Sequence, residues 1–419
     1  MPASSAIRLK RQLPLYGLFA SGSLALLGNA IASVALPWFV LSLTKSPLWT
    51  GVAAAAGLVP LILGAFLGGS LIDRHGARTI AIIASLVSAA AVAAVPALHH
   101  AGFLSIGLLI ALIAIGAVFD GPGMTAEESR MPELARLARF KLEKVTSIDN
   151  LIEGLATLIG PAVAGLAIAL VGMQNTLWLT ALCSLVAACF IAVSLPRERP
   201  HRIAQRAQAP QDTLAGLKLL LADPLLRPLL LFAAAFVAVA ASLGTVVMPA
   251  FFLLSGREAL DLGLFLSILG GATMVGTVAF ALWGEHFSQR WLFLSGCAAQ
   301  ALAFLVLAFH TSPVVLWGAA ALAGLAGGPL GPIANAALYR RIPLALRGRA
   351  LGAATSLVLV ATPVAVIIAG AAVELTDARV VLWASAILLG AFVFVASLLP
   401  GLYELDRSDK AAAGAMSQI

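Results

Sequence analysis

Gly69-Ser70-Leu71-Ile72-Asp73-Arg74-His75-Gly76-Ala77-Arg78 is a short polar passage between two long apolar runs, about 49–72 and about 79–98. Each run supplies the roughly 20 apolar residues that a helix needs to cross the hydrocarbon core of a bilayer. Gly76 permits a tight turn, because a positive φ costs glycine little. Asp73 can cap or pair at the end of a neighbouring helix, where the helix dipole favours such charges. The passage therefore reads as a hairpin between two membrane-spanning helices.

Working outward from this hairpin, turn residues and charges cut the chain into twelve such runs. They lie at about 15–41, 49–72, 79–98, 103–120, 147–171, 175–195, 229–254, 262–283, 291–310, 313–334, 350–373 and 380–401. Composition agrees. Of the 419 residues 61% are hydrophobic and 11% charged, with a mean hydropathy of +1.01, whereas a soluble domain carries about 25% charged residues. Too little charge is present to coat a soluble surface of this size, so lipid is the solvent for most of the exterior. The fold class this implies is an all-α integral membrane protein.

A net charge of +7 and a pI of 9.8 would suit a nucleic-acid partner only if the bases formed a stripe on one soluble domain. They stand instead at the ends of the apolar runs, which excludes that reading. Lys and Arg also set the orientation. With a cytoplasmic amino terminus, 23 of the 26 fall inside and only Lys45, Arg257 and Arg379 outside. The expectation is a multi-pass protein of a bacterial-type inner (plasma) membrane with both termini cytoplasmic. The run after Arg8, Lys10 and Arg11 is too long for a signal-peptide core and reads as the first span. Cys183, Cys189 and Cys297 lie inside apolar runs, which argues against a disulfide framework or a zinc site.

The longest polar stretch divides the chain into residues 1–195, a middle loop 196–228, residues 229–402 and a tail 403–419. Within the loop, Thr213–Ala222 is expected as a short helix lying on the membrane surface. The two large parts repeat one another. Asp73 and Glu285, like Arg78 and Arg290, are 212 residues apart; Gly121-Pro122 recurs as Gly331-Pro332 at an offset of 210, and Met131-Pro132 as Ile342-Pro343 at 211. Pro161 in span five is matched by Pro363 in span eleven. Matches in order, at near-constant offset, indicate an internal duplication of six spans.

Two six-helix halves in parallel repeat resemble the major facilitator superfamily over essentially the whole length. The hairpin carries the resemblance further. The family's loop between spans two and three reads Gly, any, Leu, Ala, Asp, Arg, any, Gly, Arg, then Arg or Lys. Gly69, Leu71, Asp73, Arg74, Gly76 and Arg78 match it, while Ala77 replaces the first arginine after the second glycine. The resemblance implies a gating loop, with Asp120 at the expected cytoplasmic end of span four placed to meet one of its arginines. Span five holds Gly154 and Gly160-Pro161-Ala162-Val163-Ala164-Gly165, which looks like the Gly-Pro signature of the family's drug–proton antiporters. Pro161 removes an intrahelical hydrogen bond and the glycines allow close helix approach. Leu36–Pro47 is similar to the macrolide-efflux-like branch.

Ionisable residues inside a membrane are functional candidates by default. Glu153 stands about two turns into span five, with Asp149 four residues before it and Thr157 four after, all on one helical face. Such a stripe could carry a proton or attract a lipophilic cation. Asn29 is the most polar interior residue of span one and could hydrogen-bond substrate, or a neighbouring helix. With no Lys or Arg inside a span, anionic substrates are disfavoured.

The expected function is proton-coupled efflux of hydrophobic or cationic small molecules by a monomer, with no cofactor or metal and the proton gradient as energy source. No Gly-rich phosphate loop with Lys is present to use ATP. One alternative is transport of a physiological metabolite such as a siderophore or amino acid. Another, a lipid-modifying membrane enzyme, lacks a catalytic constellation near a membrane face.

Overall fold

The computed structural model describes residues 2–196, 213–309, 312–343, 347–398 and residue 405. The rest of the tail lies outside them, as does most of the basic part of the middle loop. Every element among the described residues is helical. Twelve stretches among the described residues are long and apolar enough to cross a membrane, so the twelve-span reading holds. In lipid, a backbone that satisfies its own polar groups within each segment is the stable choice. The chain is a multi-pass membrane protein of two compact units, Met1–Gln208 with Phe252–Leu264, and Ala209–Phe251 with Phe265–Ile419.

The first unit is built on α1 (Pro2–Thr44), α2 (Pro47–His75), α3 (Ala77–His100), α4 (Ile106–Ala138), α5 (Leu142–Val171) and α6 (Met173–Ser194). Local chemistry marks the boundaries. Ser46 caps α2 by accepting the Trp49 N–H, with Pro47 in the first turn, and Ser105 caps α4 through Leu108. Gly76 is the single residue between α2 and α3, with φ 83° and ψ 143°, a conformation glycine adopts without a Cβ penalty. The closest packing is of α2 and α3 on α4, and of α1 on α6. A Cβ at Gly64 would lie 2.5 Å from the Val118 carbonyl oxygen, so glycine lets α2 meet α4 backbone to backbone.

Span four differs from the sequence expectation. In place of an end near residue 120, α4 runs for 33 residues to Ala138, with Pro122 and Pro132 inside it. Proline inside a membrane helix is tolerated where neighbours satisfy the freed carbonyl. The real stop is Arg139, at φ 59°. The Phe140 N–H reaches back to the Ala135 carbonyl at 2.9 Å, the six-to-one bond of a Schellman end. The expected cytoplasmic loop between spans four and five shrinks to residues 139–141.

In the second unit α7 (Thr213–Ala222) precedes α8 (Leu226–Ser242), which continues through a π-helical turn at Leu243–Val247 into α9 (Met248–Leu254). Next come α10 (Ala259–Trp283), whose residues as far as Leu264, like those from Phe252 in α9, belong to the first unit, then α11 (Gln289–Phe309), α12 (Pro313–Gly327), α13 (Leu330–Arg341), α14 (Arg347–Leu375) and α15 (Ala378–Leu398). The expected helix α7 is present and packs on protein along one side. Leu220 is fully buried, in a cluster with Leu338, Ile342, Ala350 and Ala354. Asp223 fixes the following turn, accepting from the Leu225 and Leu226 N–H groups and pairing with Arg341 at 3.1 Å. Phe232 anchors a second cluster against Phe236, Phe293 and Phe392.

The duplication has a structural counterpart. Arg78, at the start of α3, donates to the Ala192 carbonyl near the end of α6 at 2.6 Å. Arg290, at the start of α11, donates to the Ser397 carbonyl near the end of α15 at 2.8 Å. Each cation meets last-turn carbonyls that have no intrahelical partner. Gly276 recurs 212 residues after Gly64, and a Cβ there would overlap the Leu325 carbonyl oxygen.

Candidate functional site

The first unit contains a cavity of about 140 Å³ lined from five of its helices. Helix α1 contributes Gly22, Ala25, Leu26 and Asn29, which fall on one face by their spacing of three and four. Helix α3 adds Ala84, Ser85 and Ser88, and α6 adds Ser184. Helix α4 presents Asp120, Gly123, Met124, Glu127, Glu128 and Met131, a stripe three turns long. Helix α5 completes the wall with Asp149 and Glu153.

Five carboxylates therefore line one cavity, and no Lys, Arg or His is among the lining residues. Their neighbours differ. Glu128, Asp149 and Glu153 lie within electrostatic reach of one another across α4 and α5. Glu127 is half-buried, lies within electrostatic reach of Asp149 and Glu128, and stands close to Ser21 of α1. Asp120 is half-buried and faces the Ser88 hydroxyl of α3. Arg130, one turn beyond Glu127, is buried and directed elsewhere, to Glu133 at 2.7 Å and to the Pro196 carbonyl at 3.3 Å.

Among the sequence candidates, Glu153, Asp149 and Asn29 all reach this cavity. Thr157 does not: its hydroxyl donates to the Glu153 carbonyl at 2.9 Å, closing on its own helix. Asp120 is displaced from its expected place. It stands in the cavity near the middle of α4, and no ion pair among the described residues joins it to the hairpin. Asp73 and Arg74 are exposed at the end of α2, and Gly69 is open on the side where a Cβ would project. Arg78 is committed to the α6 carbonyl. The hairpin thus holds a tight turn and a helix cap, and Asp120 belongs to a different group.

Span five's small residues serve close packing. A Cβ at Gly160 would overlap Ala30 of α1, and one at Gly165 would lie 2.7 Å from the Ala259 carbonyl oxygen. A Cβ at Gly263 would overlap the Pro161 carbonyl oxygen. Gly154, one residue beyond Glu153, is half-buried and is not among the cavity-lining residues.

Glu127 and Glu128 are the residues the sequence reading missed. The signal was present. Asp120, Met124, Glu127 and Met131 recur at helical spacing, but only if the helix continues through Pro122.

The family model described as Major Facilitator Superfamily matches residues 18–284 and 230–417 of the chain. A protein named multidrug efflux pump Tap from Mycolicibacterium fortuitum is 31% identical over 393 residues, which cover 91% of this chain and 95% of that relative. The protein of the same name from Mycobacterium tuberculosis is 29% identical over 404 residues, covering 95% and 96%. Among solved structures, a mutant of the nucleoside transporter NupG is similar with a TM-score of 0.79 at 14% identity. That likeness covers 92% of this chain and 100% of that chain, and at such identity it speaks to the fold.

Proposed function

The chain belongs to the Major Facilitator Superfamily, and we propose that it is a secondary active exporter of hydrophobic or cationic, drug-like small molecules, driven by protons through alternating access. The single observation that carries this reading is the cavity with five carboxylates and no lining base. One carboxylate about 4 Å from a cationic group contributes about 4 kcal/mol at an effective dielectric of about 20. It repels an anion by as much. Ala25, Leu26, Met124 and Met131 add apolar surface beside the charges, which suits an amphipathic cation. Met in particular adapts to differently shaped ligands.

Crowded carboxylates repel one another, and either a proton or a bound cation relieves the repulsion. The two therefore compete for one site, which is the requirement for exchanging them across a membrane. The full-length similarity to proteins named multidrug efflux pumps supports drug-like substrates. The distribution of Lys and Arg supports a bacterial plasma membrane location with both termini cytoplasmic.

The test uses purified protein in liposomes with an imposed pH gradient, reporting internal pH as lipophilic cations are added. Substrate-dependent proton movement is expected. Cation transport that ignores the gradient would remove proton coupling, and transport of anions in preference to cations would remove the substrate class.

A further inference from the structure

Glu127 sits differently from the other four carboxylates. It faces α1, where a Cβ at Gly22 would stand 3.8 Å from its Oε2 and within 4 Å of no other atom. The carboxyl therefore lies beside α1 at Gly22, at ordinary van der Waals range. The Ser21 hydroxyl, fully buried, lies close to the same carboxyl and makes no hydrogen bond in this structure. A hydroxyl rotates freely, so it can donate to an ionised carboxylate or accept from a protonated carboxyl. Glu127 is thus provided for in both charge states. Glu128 and Glu153 are exposed within the cavity and lie with Asp149 around a shared space, where one positive charge can meet several carboxylates.

The groups facing Glu127 from each packed helix are few. Glu128 lies on its own helix and Asp149 on α5; α3 and α6 bring small residues and hydroxyls to the cavity. Helix α2 meets α4 through Gly64 and Gly68, against Val118 and Pro122. Arg130 is tied to Glu133. The charge on Glu127 therefore answers to Asp149 and Glu128, and through them to whatever cation they hold.

Resting on the proton-coupled cation reading, we propose that Glu127, seated on Ser21, carries the coupling proton, while Glu128, Asp149 and Glu153 hold the positive charge of the substrate. Arrival of the cation beside Asp149 favours ionised Glu127 and releases its proton to water; departure of the cation reverses the step. Ser21 is a positioning residue in this scheme.

The experiment measures tetraphenylphosphonium binding to purified protein by equilibrium dialysis across the neutral pH range, with proton release followed by a dye. Substrate-driven proton flux is then measured in liposomes. Glu127→Gln is expected to bind the probe with affinity that no longer varies with pH, and to lose proton release and proton flux. Glu153→Gln is expected to weaken binding by about tenfold, the loss of one charge-assisted contact, while its binding stays pH-dependent. Ser21→Ala is expected to displace the pH midpoint of proton release, and Glu127→Asp to restore release. Proton release that survives Glu127→Gln overturns the proposal, as does pH-independent binding in Glu153→Gln alone. If the unaltered protein carries the probe without moving protons, the parent reading fails instead.

Discussion

In the first half the chain after Ser105 forms one helix from Ile106 to Ala138, running straight through Gly121-Pro122. In the second half the stretch from Pro313 to Arg341 is interrupted between α12 and α13, just before the matching Gly331-Pro332. The offset of 210 residues sets Asp120, Glu127 and Glu128 opposite Leu330, Ala337 and Leu338. All three of these are buried, Leu330 and Ala337 within the Phe232–Phe293 cluster and Leu338 beside Leu220. Span five diverges in the same way, since the offset between Pro161 and Pro363 sets Asp149 and Glu153 opposite Leu351 and Thr355. What the halves share is scaffold: the glycine contacts at Gly64 and Gly276, and the arginine caps at Arg78 and Arg290. What they do not share is the lining. Duplication preserved the means of packing helices, and the chemistry of one stripe changed independently of it.

The largest effect expected from this contrast comes from moving a carboxylate across it. Ala337 is 2% exposed among apolar side chains, so Ala337→Glu buries a charge that no partner compensates, at about 3–5 kcal/mol. Thermal unfolding in detergent should show a large loss of stability, or no folded protein at all. The reverse change at the equivalent site, Glu127→Ala, empties a cavity wall and should alter stability by about 1 kcal/mol or less. Similar losses from both variants would mean that the two sites are equally core-like, and the contrast would collapse.

A smaller, matched effect is expected from the shared scaffold. Arg78→Ala and Arg290→Ala each remove one charge-assisted hydrogen bond to a helix-end carbonyl, for a loss of about 1–2 kcal/mol. Equilibrium unfolding of the two variants should give values that agree to about 0.5 kcal/mol. A neutral Arg78→Ala beside a damaging Arg290→Ala would show that the caps are alike in geometry but not in weight. It would also return Arg78 to the gating role that the family resemblance suggests.

The contrast also explains which features could be read in advance. Twelve apolar runs announce twelve spans because lipid demands length and hydropathy above all else. The hairpin and the near-constant offsets expose the duplication because turns and helix ends need particular residues. Span four resists reading because Gly121-Pro122 marks a break in water but not in a packed membrane helix, so the sequence pattern puts Glu127 and Glu128 in a loop where the structure has α4. The arginine caps were invisible for another reason. The acceptor of Arg78 is a backbone carbonyl 114 residues away, and a carbonyl carries no side-chain signature. Asp149 and Glu153 were legible as one face of a helix, because a spacing of four needs no tertiary information.

Thr157 marks the limit of that last kind of reading and offers the smallest expected effect. Periodicity extends the Asp149–Glu153 stripe to Thr157, and the second half has Leu359 at the matching place. A polar residue there would continue the carboxylate line only if its hydroxyl faced the cavity. It donates instead to the Glu153 carbonyl within α5, a back-bond that commits its one proton to the helix. Thr157→Val keeps the shape and removes only that bond. Stability should change by about 0.5 kcal/mol or less, and proton-linked cation flux in liposomes should match the unaltered protein. A several-fold fall in flux at unchanged stability would extend the site one turn further along α5. The line dividing a charged lining from an ordinary membrane helix would then lie beyond Thr157, and the difference between the two halves would be larger than the cavity alone indicates.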